Sequence, residues 1–339
     1  MSALLAFLLL QSVQDIYKAA NTDFEAGRWS EAAAKYEQVL KEDSNHIPSR
    51  FNLAVCETKL GKPEEAINVY KALVAQDNSI FEAHVNLALL LDQTGKRLEA
   101  GEQFEKALAL RPDDAQAELN LGMFYMRGDE MAKAYPHLKS AAEKGLASVE
   151  VYAALSEAEH DRKDEAKSRE YLERAVGLAP TNVNLRRQLA ISYFTDKEYA
   201  KAIPQLEQVI KGGSADPDDL YMLGKSYEVT KAYPQALALL QQAIRVKPDL
   251  VEAYATLGVI FYAQEDWVRA AQVLTRVTEL RPREAVGHFV LATCLDKLGN
   301  AKEAIVQYNK FLELDDGSND ARSFQARERG RTLERRLKR

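Results

Sequence analysis

The sequence lacks the features that usually mark an enzyme. It has only two cysteines and two tryptophans in 339 residues, and it contains no G-x-S-x-G, G-x-G-x-x-G, P-loop, H-E-x-x-H or C-x-x-C motif. The five histidines are far apart in sequence, so each is expected to be a surface or helix-packing residue: His46, His84, His137, His160 and His288. The sequence therefore predicts a non-enzymatic protein without a cofactor, a metal site or a small-molecule substrate.

An excess of basic residues is also absent. The formal net charge is −6. Residues 319–339 contain eight basic and three acidic residues, a charge of +5, so the rest of the chain carries −11. An acidic body argues against nucleic acid as a partner, because phosphate binding needs a basic surface.

The apolar run at residues 3–10 is far too short to span a bilayer as a helix. It matches the apolar core of a signal peptide, with Ser12 as a small residue near the expected cleavage point. No Lys or Arg precedes it, and the alternative is an apolar segment that docks on the residues that follow. Residues 1–12 are therefore a candidate signal peptide, and export to the periplasm or the exterior is favoured over a cytoplasmic location.

What the sequence has instead is an internal repeat. Pro112, Pro180, Pro248 and Pro282 are separated by 68, 68 and 34 residues. Taking each as position 32 of a 34-residue unit sets a register of nine repeats over residues 13–318, without an insertion.

Positions that were not used to set the register also obey it. Position 8 is Ala, Gly or Ser in every repeat, position 20 is Ala or Ser, and position 24 is always large and apolar or aromatic. Position 7 is Leu in eight of the nine repeats, with Ala19 as the exception. These spacings predict two helices per repeat, because residues three or four apart share one helix face. The small residues let the two helices approach, residue 24 fills the space between them, and Gly near position 15 suits the turn.

The two cysteines, Cys56 and Cys294, fall at the same register position seven repeats apart. A disulfide needs Cα atoms within about 7 Å. An internal bridge is therefore not expected, and both residues are predicted to be small core residues.

Repeat seven carries the most complete pattern: Leu220-x2-Leu223-Gly224-x2-Tyr227, Ala236-x3-Leu240, Ala243 and Pro248. This pattern resembles the tetratricopeptide repeat (TPR) family over about nine-tenths of the chain. The resemblance implies an all-α fold, a right-handed α-solenoid of tandem antiparallel helix pairs whose first helices line a concave channel. Repeats one and five match least well, since Asp23 and Glu159 replace the usual aromatic residue at position 11.

By the same resemblance, positions 2, 5, 6, 9, 12 and 13 of each first helix face the channel. Position 6 is Asn52, Asn86 and Asn120 in repeats two to four. An Asn amide can pair with both the C=O and the N–H of an extended peptide, and the row resembles the asparagine ladder in the superhelix of O-linked N-acetylglucosamine transferase. The alternative is that Asn is merely common at this position and implies no ligand.

Positions 5 and 9 of the same three repeats are apolar: Phe51, Val55, Val85, Leu89, Leu119 and Met123. Core packing is the alternative role, but positions 7, 8 and 11 already form the packing stripe. The sequence therefore predicts an apolar groove with polar rungs, a surface that usually marks a binding site, and a protein or peptide as the partner.

The carboxylate clamp that this family uses for chaperone tails is not predicted. Asn21 and Asn52 match two of its asparagines, whereas Tyr17, Glu82 and Asn86 stand where the clamp has Lys, Lys and Arg. A C-terminal carboxylate would meet Glu82 instead of a cation.

The basic segment at residues 319–339 is expected to form a capping helix, because the last repeat would otherwise expose its stacking face. Contact with an acidic membrane surface is the alternative.

The leading functional hypothesis is a non-enzymatic scaffold that binds an extended peptide or partner segment in the channel of repeats two to four. The alternatives are a multi-partner assembly scaffold that uses its outer faces and a recruiting subunit of an enzyme complex.

Overall fold

The fold consists of α-helices joined by short turns. The computed structural model describes residues 3–317 and 320–338, and within these ranges it has nineteen α-helices and no β-strand. Of the helices so described, none is both long and apolar enough to cross a membrane. The predicted all-α fold of tandem helix pairs is confirmed.

The helix bounds follow the 34-residue register. The first helices of the pairs are α1 (Ala3–Glu25), α3 (Ile47–Lys59), α5 (Phe81–Gln93), α7 (Ala115–Arg127), α9 (Val149–Asp161), α11 (Val183–Thr195), α13 (Pro217–Val229), α15 (Val251–Ala263) and α17 (Ala285–Lys297). The second helices are α2 (Trp29–Glu42), α4 (Pro63–Gln76), α6 (Arg97–Leu110), α8 (Met131–Glu143), α10 (Glu165–Leu178), α12 (Tyr199–Lys211), α14 (Tyr233–Val246), α16 (Trp267–Leu280) and α18 (Ala301–Leu314). In every pair after the first, the first helix begins at position 1 of the register. In all nine pairs, the second helix begins at position 17.

The chain forms two compact units, Met1–Tyr171 and Leu172–Arg339, and the boundary falls inside α10. In the first unit, each helix from α2 to α9 packs against the helix before it. In the second unit the same holds from α12 to α18, and α19 (Asp320–Leu337) packs on α18. Neighbours in sequence are therefore neighbours in space, as in other repeat arrays.

Small residues at position 8 let the two helices of a pair touch. A Cβ atom added to Gly224 would lie 2.9 Å from Leu240 Cγ, and one added to Gly258 would lie 2.9 Å from Leu274 Cδ2. Both leucines occupy position 24, so the residue expected to fill the space between the helices does so in close contact. Ala236, at position 20, is completely buried, which leaves no room for a larger side chain.

The turn between the helices of a pair needs a left-handed residue at position 15. Glycine has this conformation in four repeats, with φ between 71° and 80°: Gly27, Gly61, Gly95 and Gly299. Repeats four to eight have larger residues there, with φ between 57° and 66°: Asp129, Lys163, Lys197, Lys231 and Glu265. A left-handed residue with a side chain costs about 1–2 kcal/mol. Packing of the flanking helices therefore imposes this turn geometry even where the turn residue disfavours it.

Helix α1 begins at Ala3, ten residues before position 1 of the register. The backbone of the apolar N-terminal segment thus continues the first helix. The candidate signal peptide at residues 1–12 depends on side chains that lie outside the described part of the chain, and it stays a prediction.

Helix α19 covers the apolar face of the last helix pair. Its Ala326 and Leu333 are buried in a cluster with Tyr308 and Phe311 of α18. Outside this cluster, the Arg329 guanidinium lies 2.7 Å from the Asp296 carboxylate of α17.

Candidate functional site

The three asparagines of the predicted row lie at equivalent places on successive first helices. Asn52 is in α3, Asn86 is in α5 and Asn120 is in α7, and each side chain is half-buried. A half-buried amide can reach a ligand while the neighbouring side chains restrict its orientation.

An open groove of about 230 Å³, here called the α3–α5 groove, runs along this surface. It is lined by Val55, Thr58 and Lys59 of α3, by Tyr70 of α4, and by Asn86, Leu89, Leu90 and Gln93 of α5. Three residues of the predicted site, Val55, Asn86 and Leu89, are thus brought together in one concave surface. Its walls combine aliphatic side chains with a few amides and hydroxyls, which is the usual composition of a ligand site.

Asn86 keeps hydrogen-bonding capacity for a ligand. Its Nδ2 donates to the Tyr70 hydroxyl at 3.1 Å, which uses one of its two N–H groups. Its Oδ1 accepts no hydrogen bond from the residues that the structure describes. One N–H and the carbonyl therefore remain available, and these are the groups that pair with the C=O and N–H of an extended backbone.

Tyr70 holds the Asn86 amide in place. Burial raises the pKa of Tyr70 to about 12, although the hydrogen bond from Asn86 acts in the opposite direction. The hydroxyl is therefore neutral at physiological pH and serves as a fixed acceptor beneath the amide.

Asn52 makes the same kind of contact with the tyrosine at position 24 of the repeat before it. Its Nδ2 lies 3.1 Å from the Tyr36 hydroxyl and 3.4 Å from Asn21 Oδ1, and these two acceptors are only 2.7 Å apart, so they share one N–H group. Asn120 Oδ1 instead accepts a hydrogen bond of 3.1 Å from Gln116 Nε2 of its own helix. Asn120 therefore differs from the other two asparagines.

Of the predicted apolar flanking residues, five remain partly exposed: Phe51, Val55, Val85, Leu89 and Met123. Leu119 is an exception, because it is only 7% exposed and belongs to a core cluster with Leu138 and Leu155. Little of its surface is open to a ligand, and its predicted ligand contact stays a prediction. Its side chain is used to pack α7 against α8 and α9.

The remaining lining residues were not part of the predicted site. Thr58, Lys59 and Gln93 occupy positions 12 and 13, which the family resemblance places on the channel side. Their register positions would therefore have allowed them to be predicted as lining residues. Tyr70 sits at position 24 and was assigned to packing between helices. It is part of the groove because its hydroxyl contacts Asn86 of α5, the first helix of the next repeat.

Four of the five histidines hydrogen-bond to a neighbouring helix, and the fifth, His46, caps α3. His84 and His288 share position 4, and the Nε2 of each faces a backbone carbonyl of the preceding repeat, at 3.0 and 3.1 Å. His137 Nδ1 lies 2.7 Å from the buried Glu118 carboxylate. Burial opposes ionisation of Glu118, but hydrogen bonds, led by the one from Lys144, lower its pKa. Among the described residues there is no group of three or more His, Cys, Asp or Glu that could hold a metal ion.

Cys56 and Cys294 are free, buried thiols. Burial raises the pKa of each to about 11. Neither is a thiolate near neutral pH, so both behave as small core residues.

Comparison with protein families gives matches to tetratricopeptide repeat models over most of the chain. Models described as tetratricopeptide repeats match residues 23–90, 85–145, 149–182 and 255–319, and one described as a TPR repeat matches residues 231–265. No curated protein sequence matches the chain.

Solved structures give the same fold at low sequence identity. A tetratricopeptide repeat protein from Parabacteroides merdae is 16% identical, with a TM-score of 0.51, over 74% of this chain and 99% of that one. The C-terminal part of a TPR repeat-containing protein from Cytophaga hutchinsonii is 15% identical, with a TM-score of 0.51, over 78% of this chain and 95% of that one. YrrB, described as a TPR protein with an unusual peptide-binding site, is 22% identical over 54% of this chain and 95% of its own, with a TM-score of 0.48.

Helix pairs that begin every 34 residues, small residues where the two helices touch, and the family matches all agree. Arrays of this family are protein–protein interaction scaffolds, and their partners are proteins or peptides. The chain belongs to the tetratricopeptide repeat family.

Proposed function

We propose that this protein is a non-enzymatic scaffold that holds an extended peptide, or an extended segment of a partner protein, in the channel formed by α3, α5 and α7. The α3–α5 groove is the centre of this site. Asn86 pairs with the backbone of the bound segment, and Val55 and Leu89 contact one of its apolar side chains.

This proposal rests on the orientation and hydrogen bonding of the Asn86 amide. Its amide is oriented by a buried hydroxyl on one side and is open to the groove on the other. An oriented amide loses little conformational freedom when a ligand binds, and it recognises backbone groups that every peptide has. Sequence preference then comes from the side chains around it.

A multi-partner scaffold that uses its outer faces is the second candidate. Two large apolar residues at position 18, early in second helices, are strongly exposed: Leu98 at 88% and Val268 at 54%. Exposed aliphatic side chains of this kind contribute to protein contacts. An experiment that separates the two proposals must therefore change each surface independently.

The test begins with the full chain immobilised and panned against displayed random peptides. Enriched peptides are then titrated against the wild type and against Asn86→Ala and Leu89→Asp, with fluorescence anisotropy as the readout. Asn86→Ala should weaken binding about tenfold, because two lost hydrogen bonds in a partly buried site cost about 1.4 kcal/mol. Leu89→Asp should abolish binding, since it places a charge in an apolar wall.

Two control variants repeat these substitutions elsewhere. Asn68→Ala changes an exposed residue of α4, and Leu98→Asp changes an exposed residue of α6. Both should bind like the wild type, and all four variants should keep the helical circular dichroism of the parent. If both groove variants bind normally and Leu98→Asp loses binding, the outer face is the binding surface and the groove is not.

A further inference from the structure

Lys59 gives the α3–α5 groove a positive charge that no neighbour neutralises. It is the last residue of α3, its side chain is exposed, and it lines the groove. No described residue forms an ion pair or a hydrogen bond with its ammonium group. Two nearby cations of the same compact unit are paired: Lys62 lies 3.1 Å from Glu57, and Arg127 lies 2.5 Å from Asp92.

Lys59 also differs from the other basic residues at its register position. Position 13 is basic in three repeats, as Lys59, Arg127 and Lys297. Arg127 has its carboxylate partner, and Lys297 Nζ lies 5.7 Å from the centre of the Trp267 ring, a cation–π distance. A cation at a helix C-terminus is favourable in itself, but that applies to all three equally. It does not account for a cation left open toward a groove.

Lys59 is also the one charged side chain among the eight residues that line the groove as the structure describes it. The rest of the surface consists of aliphatic side chains, hydroxyls and amides. Lys59 is exposed, so an ion pair there contributes weakly, and the apolar wall beside it supplies a second contact. The chemistry of the groove therefore favours a ligand with a negative charge close to an apolar group.

The spacing of the groove residues fits one continuous segment. Val55 and Lys59 are four residues apart in α3, which places them about 6 Å apart along the helix axis. Alternate side chains of an extended chain are about 6.6 Å apart. A segment that sets an aliphatic side chain against Val55 and Leu89 can therefore direct the side chain two residues away to Lys59, while its backbone meets Asn86.

We propose that the α3–α5 groove selects extended segments in which an Asp or Glu lies two residues from an aliphatic side chain, with Lys59 binding the carboxylate. This proposal rests on the proposed function and adds the chemistry of the partner. It differs from a clamp for a chain-terminal carboxylate, whose cationic positions are held here by Tyr17, Glu82 and Asn86.

The test uses peptides enriched on the full-length chain and resynthesised in matched sets with amidated C termini. Within a set, the acidic residue is kept, replaced by its amide isostere, or replaced by Lys. The wild type should bind the amide form about fivefold more weakly, because a partly exposed ion pair contributes up to about 1 kcal/mol. Lys59→Glu should weaken binding of the acidic peptide about tenfold and should favour the Lys-containing peptide over it.

Lys106→Glu, on an exposed site of α6, changes the net charge equally away from the groove and should leave every affinity unchanged. Equal binding of the acidic and amide peptides to the wild type, or an unchanged affinity in Lys59→Glu, would overturn the proposal. Loss of binding on C-terminal amidation alone would show that the groove reads a chain terminus and that the side-chain assignment is wrong. If Asn86→Ala weakens binding but the charge swap has no effect, the acidic preference fails and the proposed function stands. If neither change has an effect, the groove is not the site.

Discussion

Residues 47–80 and residues 217–250 form helix pairs of the same dimensions with different inner surfaces. Helices α3 and α13 both have 13 residues, and α4 and α14 both have 14. Both pairs begin at positions 1 and 17 of the register. The backbone plan of the two repeats is thus the same, and any difference in what they can bind must come from side chains.

The inner surfaces differ most where the next first helix joins the pair. In the earlier repeat, Tyr70 presents a hydroxyl to the Asn86 amide. In the later repeat, Leu240 replaces the tyrosine and Thr256 replaces the asparagine. The Thr256 hydroxyl donates to the Glu252 carbonyl of its own helix at 2.8 Å, so it is used within α15.

This comparison separates two groups of positions. Residues at positions 7, 8, 20 and 24 meet between helices and preserve the helix pair. Residues at positions 6, 9 and 13 differ between the two repeats. The shared backbone therefore keeps the helix pair constant, while side chains outside the packing positions vary between repeats.

The largest expected effect on stability comes from overfilling a helix pair. Ala236→Leu inserts three carbons where Ala236 is completely buried, and overpacking costs about 1–3 kcal/mol. In a repeat array the damage stays with the altered repeat and its neighbours. Hydrogen exchange should show a loss of protection around residues 183–284, with peptide binding in the α3–α5 groove retained.

Ala238→Leu is the matched control, because Ala238 is exposed on the same helix. It should leave the protection of residues 183–284 unchanged. A uniform loss of protection along the whole chain in Ala236→Leu would contradict the 34-residue register and the locality of the packing.

A smaller effect is expected from exchanging the turn residues of the two repeats. Gly61 has φ 72° and Lys231 has φ 63°, and a side chain at Gly61 would meet no atom within 4 Å. Gly61→Lys therefore changes only the backbone preference and should lower the free energy of unfolding by about 1 kcal/mol. Lys231→Gly should raise it by about the same amount, as measured by urea denaturation.

Lys231→Ala distinguishes the backbone from the charge. It removes the ammonium group but keeps a Cβ atom, so it should give no stabilisation. Equal stabilisation by Ala and Gly would mean that charge, and not the left-handed backbone, limits this turn.

The smallest effect is expected at the hydroxyl that distinguishes the two inner surfaces. Tyr70→Phe removes the acceptor of the Asn86 amide and should cost about 0.5–1 kcal/mol of stability. Phe104 occupies the same position in the next repeat, so the ring itself is accommodated. Peptide binding should weaken a few-fold, because the Asn86 amide is no longer held in place.

A double-mutant cycle measures whether the two residues act together. In an Asn86→Ala background, Tyr70→Phe should have no further effect on peptide affinity. Additive effects of the two substitutions would show that the hydroxyl does not act through the amide.

The packing between helices could be predicted from the sequence. The repeat pattern predicts Leu223, Gly224 and Ala236 at the contact between helices, and the structure places them there. This succeeds because the contacts join residues that are close in sequence, and because the same pattern recurs along the chain. Each recurrence is an independent check on the register.

The details of the inner surface could not be predicted in the same way. Asn52 and Asn86 each donate to a tyrosine hydroxyl of the preceding repeat, whereas Asn120 bonds to Gln116 of its own helix. Tyr36 and Tyr70 provide hydroxyls at position 24, whereas Phe104 does not. Leu119 was expected to face a ligand, but α8 and α9 use it for packing.

The amino-acid sequence by itself determined the helix pairs, their period and the family, because those properties depend on local spacing that is repeated many times. The helix face proposed to carry a ligand stays a prediction from the sequence. Only the tertiary structure decided that Val55, Lys59, Asn86 and Leu89 share one groove. That arrangement depends on which side chains of adjacent helices contact and hydrogen-bond one another. These contacts differ from repeat to repeat, so they produce no periodic pattern in the sequence.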